Sequence, residues 1–103
     1  MKSYNRLVYP FQSKWINIDG NNIHYIDEGQ GEIILFFHPP VSSSFMFRNM
    51  IKILSSNHRC IALDFPGFGL SSVVDGFQYS LQSLAGVAEK FIEKLQKVVF
   101  DSR

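Results

Sequence analysis

Cysteine is nearly absent from this chain. Cys60 is the single copy, which excludes an internal disulfide framework. It opens the apolar stretch Cys60–Leu63 and reads as a buried structural thiol. Long hydrophobic runs are absent too: the longest uninterrupted one is Ile33–Phe37, far short of the roughly 20 residues that span a bilayer. The first residues, Met1–Trp15, contain no continuous apolar core of the kind a secretory signal needs. A cytoplasmic location is the default expectation, with no membrane partner. An excess of charge of one sign is missing as well. The net charge of +1 offers no electrostatic case for nucleic acid or an anionic surface. There are no internal repeats and no low-complexity segments. No metal and no cofactor is expected.

What is present is apolar and aromatic. In 103 residues there is room for one small domain. Apolar residues make up 46% and charged residues 18% of the chain, a globular balance rather than a disordered one. Ten phenylalanines bring the aromatic share to 15%, a large apolar payload for a small core.

The pattern along the chain gives an element order. Residues 1–13 are mixed, carry Pro10, and read as a poorly ordered lead-in segment. Trp15, Ile16 and Ile18, then Ile23, Tyr25 and Ile26, flank the turn cluster Asp19-Gly20-Asn21-Asn22, which predicts a hairpin. Its second arm mixes polar and apolar residues and suits a strand near a sheet edge with one wet face. After Gly29-Gln30-Gly31, the unbroken run Ile33–Phe37 predicts a strand buried on both faces. Ser42–Ser44 suit a helix start, and Phe47, Met50, Ile51 and Leu54 recur at helical spacing. Ser55-Ser56-Asn57 ends that helix and Cys60–Leu63 forms the next short strand. A glycine-rich loop follows. Ser80 can cap a last helix whose apolar face is Leu81, Leu84, Ala88, Phe91 and Leu95. Gly86 inside it costs about 1 kcal/mol relative to Ala, so a close packing contact is expected there. Val98-Val99-Phe100 reads as the start of a further buried strand. Alternating strands and helices are the signature of a parallel α/β sheet with right-handed crossovers.

Two stretches carry a family resemblance. Ile33–Arg48, with His38, Ser42, Ser43, Ser44, Phe45 and Arg48, resembles the segment beginning His-Gly-X-Pro in haloalkane dehalogenases, epoxide hydrolases and related α/β-hydrolases. Asp64-Phe65-Pro66-Gly67-Phe68-Gly69-Leu70-Ser71 is similar to the Asp-X-X-Gly-X-Gly-X-Ser loop of the same families. Trp15–Gly31 resembles their opening hairpin. The likeness runs from Trp15 to about Leu95. It implies an α/β fold, the N-terminal part of an α/β-hydrolase: an opening β-hairpin followed by parallel β-α-β-α units. On that reading residues 14–103 are a partial, incomplete hydrolase domain that stops before the nucleophile elbow.

The chemistry of such enzymes needs a Ser or Asp nucleophile on a sharp elbow, a His base and an acid that orients it. The sequence contains no Gly-X-Ser-X-Gly; Gly69-Leu70-Ser71-Ser72-Val73 is the nearest approach. No catalytic residue is therefore assigned. The resemblance places the oxyanion loop at His38, Pro39, Pro40 and Val41, and a structural loop at Asp64, Gly67, Gly69 and Ser71. One oxyanion donor of the family falls at the position of Pro40, and proline has no N–H. Pro39 stands where the family has glycine. His38 reads as a brace of its loop, and His24 and His58 as partly exposed. Arg48 either pairs with a loop carboxylate or stays on the surface. Gly67-Phe68-Gly69-Leu70-Ser71-Ser72 lacks the third glycine of a dinucleotide loop and does not open a helix directly.

The expected function is an ester, epoxide or carbon–halogen hydrolase represented by an N-terminal fragment that is inactive alone. The alternative is a non-catalytic remnant or interaction module with an exposed sheet edge. Expected partners are a small-molecule substrate, once the chain is completed by a C-terminal part, and further copies of the chain by self-association.

Overall fold

The computed structural model describes residues 10–39 and 42–101, the side chains after Lys97 excepted. Strands β1 (Lys14–Ile18) and β2 (Asn21–Glu28) form an antiparallel hairpin in which Trp15 faces His24 and Ile16 faces Ile23. The turn between them places Asp19 at φ 52° and Gly20 at φ 88°. Positive φ at both central residues matches the twist of a tight hairpin, and Asp-Gly tolerates it.

Strand β3 (Glu32–Phe37) leads through a 3-10 turn (Ser44–Phe47) into helix α1 (Arg48–Leu54) and strand β4 (His58–Leu63). The sheet order is β1-β2-β4-β3, with β4 antiparallel to β2 and parallel to β3. A long loop then reaches helix α2 (Leu81–Asp101). Its first turn is capped by Ser80, whose Oγ accepts the Ser83 N–H at 3.0 Å.

The strand period of two sorts the core into two layers. Ile23 and Tyr25 of β2, with Ile61 and Leu63 of β4, pack against Val87, Phe91 and Leu95 of α2. Ile26, Cys60 and Ala62 point the other way, joining Phe11, Phe36 and Ile51 of α1. Helices on opposite faces of a sheet are the layered α/β arrangement.

Several sequence expectations are corrected. Val98-Val99-Phe100 is not a strand: α2 runs through it to Asp101. The preference of β-branched residues for strands is a weak prior, and each added helical residue gains a backbone hydrogen bond. Strand β3 is not buried on both faces. It is the last strand of the sheet among the described residues, and Ile33 is 50% and Phe37 39% exposed. Strand β2 lies near an edge as expected, next to β1 and between it and β4, but the face expected to be wet is partly closed: His24 is buried there with Ile26. A Cβ added at Gly86 would meet nothing within 4 Å among the described residues, where no close contact requires glycine. Leu81 is 86% exposed and stands outside the apolar face of α2. Of the lead-in segment, residues 1–9 lie outside the described residues, while Phe11 is buried in the α1-side core.

Candidate functional site

The carboxyl end of the parallel pair β3/β4 is where an α/β sheet presents a ligand crevice. Two residues hold this end together. His38, just past β3, is buried and accepts the Phe65 N–H at Nε2, 2.8 Å away. Nε2 is thus the unprotonated nitrogen, and Nδ1–H donates to the Pro39 carbonyl at 2.8 Å. The ring meets Phe65 and Phe68 edge-on at 5.1 and 5.8 Å. Both ring nitrogens are engaged, so His38 ties the exit of β3 to the exit of β4.

Asp64, just past β4, is fully buried. Its Oδ1 accepts the Ser44 N–H at 2.6 Å, and its Oδ2 accepts the Leu70 N–H at 2.9 Å and His24 Nδ1–H at 2.8 Å. Burial opposes ionisation of this carboxyl, but the hydrogen bonds from His24, Leu70 and Ser44 outweigh it and hold the group below its ordinary value. One carboxylate therefore joins the start of the 3-10 turn, the glycine-rich loop and the middle of β2. Ser43 caps the same turn, its Oγ accepting the Phe45 N–H at 3.2 Å.

The glycine-rich loop is closed on itself and on β2. Ser71 Oγ donates to the Asp64 carbonyl at 2.5 Å and accepts the His24 N–H at 2.8 Å. Ser72 exchanges hydrogen bonds with the Asn22 backbone at 2.9 and 3.0 Å. The amides of Gly67, Phe68, Leu70 and Ser71 are all spent inside the protein, which leaves this loop unsuited to cradle a phosphate. Gly67 has φ 80°, and a Cβ there would lie 2.3 Å from the Tyr79 hydroxyl. Tyr79 in turn donates to the Pro66 carbonyl at 2.8 Å. Gly69 also has positive φ, at 55°.

Pro40 and Val41, half of the oxyanion loop implied by the resemblance, lie outside the described residues. Pro39 is exposed, beside His38. Arg48 forms no loop ion pair among the described residues: its guanidinium lies over the Phe45 ring at 4.1 Å and donates to the Phe45 carbonyl at 3.1 Å. Cys60 is buried, which pushes its thiol pKa up and away from nucleophilic use. No group of three or more metal-ligating side chains occurs among the described residues.

The residue that sequence reasoning misjudged is His24. It is not partly exposed; its side chain is fully enclosed between Asp64 and Ser13. The signal was available in the alternation: Ile23 and Tyr25 point to one core, so His24 must point with Ile26 to the other face. His58 is half-buried, its Nδ1 beside the Asn57 side chain.

A mixed sheet covered on both faces, opened by a hairpin and braced at its carboxyl end by His38 and Asp64, defines an α/β-hydrolase architecture. The chain carries the N-terminal part of an α/β-hydrolase fold. It is 41% identical over 88 residues to a haloalkane dehalogenase 2 of Mycobacterium bovis, a stretch that is 85% of this chain and 31% of that protein. It is 38% identical over 88 residues to a cis-3-alkyl-4-alkyloxetan-2-one decarboxylase of Shewanella oneidensis, covering 84% of this chain and 28% of the other. The solved Cif epoxide hydrolase from Acinetobacter nosocomialis superposes with a TM-score of 0.75 at 28% identity, over 89% of this chain and 28% of that one. The chain spans less than a third of the length of each of these relatives. No protein-family model matches it.

Proposed function

We propose that this chain supplies the N-terminal half-site of a hydrolase acting on a small ester, epoxide or carbon–halogen substrate. The observation that carries the reading is the bond from the Phe65 N–H to His38 Nε2. It anchors the start of the His38–Val41 loop at the carboxyl end of the parallel strands, where a reacting carbonyl or leaving group would lie. The proposal gives this loop the role of holding an oxyanion and Asp64, Gly67, Gly69 and Ser71 that of shaping the floor beneath it, a reading that the resemblance and these contacts support. Nucleophile, base and orienting acid would come from a C-terminal part of the fold. Pro39 and Pro40 contribute no amide donors, so an oxyanion here would rely on Val41 or on a donor from another segment. The described residues include no helix long and apolar enough to cross a membrane; a cytoplasmic setting belongs to the proposal.

The test is a chimera. This chain replaces the matching segment of the Mycobacterium bovis haloalkane dehalogenase 2, and the product is assayed on aryl esters, epoxides and haloalkanes. Turnover of one class by a folded chimera supports the reading. A folded chimera silent on all three overturns it. The 103-residue chain by itself should turn over none of them.

A further inference from the structure

Ser13, His24 and Asp64 form a hydrogen-bonded row outside the His38 loop. Ser13 Oγ lies 2.9 Å from His24 Nε2, and His24 Nδ1 lies 2.8 Å from Asp64 Oδ2. His24 and Asp64 are fully buried, whereas Ser13 is exposed. Trp15, paired across the hairpin with His24, meets its ring edge-on at 5.1 Å and is itself 49% exposed.

Each distance fits the roles of an activated hydroxyl. The Asp64 carboxylate accepts from Nδ1–H, which selects the tautomer whose Nε2 lone pair faces Ser13. The imidazole cannot turn away, because the carboxylate that holds it is anchored by two further backbone amides, those of Ser44 and Leu70. The strand beneath it is fixed by the bond from the His24 N–H to Ser71 Oγ. A pinned, oriented base hydrogen-bonded to the hydroxyl of an exposed serine is the arrangement that makes a serine nucleophilic. Asp64 serves both this row and the floor of the His38 loop, and adduct formation on Ser13 is read separately from turnover by the chimera.

We propose that Ser13 is an acyl- and phosphonyl-accepting serine, activated by His24 and Asp64, that takes its group from activated donors such as aryl esters and fluorophosphonates. Ser13 Oγ bonds to the carbonyl carbon or phosphorus as its proton passes to His24 Nε2. The bond to the leaving group breaks, releasing aryloxide or fluoride. The imidazolium then returns its proton to the leaving group or to water. The product is a stable adduct on Ser13, one per chain, without hydrolytic turnover. The exposed Trp15 indole, edge-on to the His24 ring, offers an aryl donor an apolar surface beside the imidazole.

The experiment incubates the full chain with a fluorophosphonate and, separately, with p-nitrophenyl acetate, followed by intact mass and peptide mapping. A positioned general base contributes about 10²–10⁴-fold, so Ser13 should be modified about 100-fold faster than the exposed serines Ser56 and Ser80. Labelling should vanish in Ser13→Ala and in heat-unfolded chain. His24→Gln, with circular dichroism confirming its fold, should keep Ser13 in place and lose the rate advantage. Ser13 labelled no faster than Ser56 and Ser80 in the folded chain overturns the proposal. So does labelling that survives unfolding, or that survives in folded His24→Gln. Should His24→Gln fail to fold, the comparison of native with unfolded chain decides the matter by itself.

Discussion

His24 Nδ1 and Asp64 Oδ2 sit 2.8 Å apart with neither side chain exposed, and the pair locks the middle of β2 to the loop that follows β4. The hydrogen bonds at Asp64 are those of an ionised acceptor, and they hold its pKa below the ordinary carboxylate value against the opposing effect of burial. A carboxyl whose folded pKa is below its unfolded value of about 3.9 stabilises fully above that value and loses the stabilisation as pH falls through the folded pKa. Acid unfolding of the chain should therefore begin below about pH 4. Asp64→Asn should lower stability at pH 7 by about 1.5–3 kcal/mol, the range for a lost charge-assisted bond, and flatten the acid limb. Urea melts from about pH 3 to pH 7 check both. A variant with an unchanged acid limb would place the titrating group elsewhere.

Two glycines should respond in opposite senses. Gly29 has φ 90°, and a Cβ there would lie 2.1 Å from the His58 carbonyl oxygen and 2.6 Å from that of Ser55. Backbone atoms cannot yield as a flexible side chain can, so Gly29→Ala should cost several kcal/mol, more than about 3. Gly86 lies within α2, and among the described residues nothing stands within 4 Å of where a Cβ would be. Gly86→Ala should raise stability by about 0.5–1 kcal/mol through helix propensity and a stiffer unfolded chain. Thermal melts of the two variants against the parent decide both signs.

Much of this architecture was legible in local pattern. The hairpin announces itself in Asp19-Gly20 between two β-rich runs, and the cap of α2 in Ser80. The two errors on burial within the sheet share one physical origin, which is that burial depends on the neighbours a strand acquires. Ile33–Phe37 has the composition of a doubly covered strand, yet it is the outermost strand of the described sheet and leaves Ile33 half exposed. The arm containing His24 has the composition of a strand with one wet face, yet the imidazole on that face is enclosed against Asp64 and Ser13. Composition reports what a strand can tolerate, and strand order decides what it receives. The Ser13–His24–Asp64 row joins three segments with no common motif, so no local pattern in the sequence announces it.

Pro40 supplies a further prediction within the chimera described above. On the proposed oxyanion role of the His38–Val41 loop, its ring removes an amide that would otherwise serve as a donor. Loss of one oxyanion donor is worth about 10²–10³ in rate, or roughly 2.7–4 kcal/mol. Pro40→Gly should raise kcat for aryl-ester hydrolysis toward that factor, with KM little changed, since the gain is made in the transition state. An unchanged kcat would assign the donor to Val41 or to another segment.

The open edge of β3 makes the last prediction. Its inner side pairs with β4 from Glu32↔His58 to Phe37↔Leu63, and among the described residues no strand pairs with its outer side. The outer backbone groups are thus presented as a template for another chain, and Ile33 and Phe37 add exposed apolar surface beside them. A second copy offering the same edge would cover both at once. The purified chain should run larger than a monomer, with the larger species growing as concentration rises. Ile33→Lys places a charge on that half-exposed edge, the device natural sheets use to stop such pairing. It should shift the population to monomer while the far-ultraviolet spectrum stays unchanged. Sedimentation velocity over a wide range of concentration reads the outcome. A parent chain that stays monomeric throughout, with a sharp cooperative melt, would show that the edge does not recruit a partner.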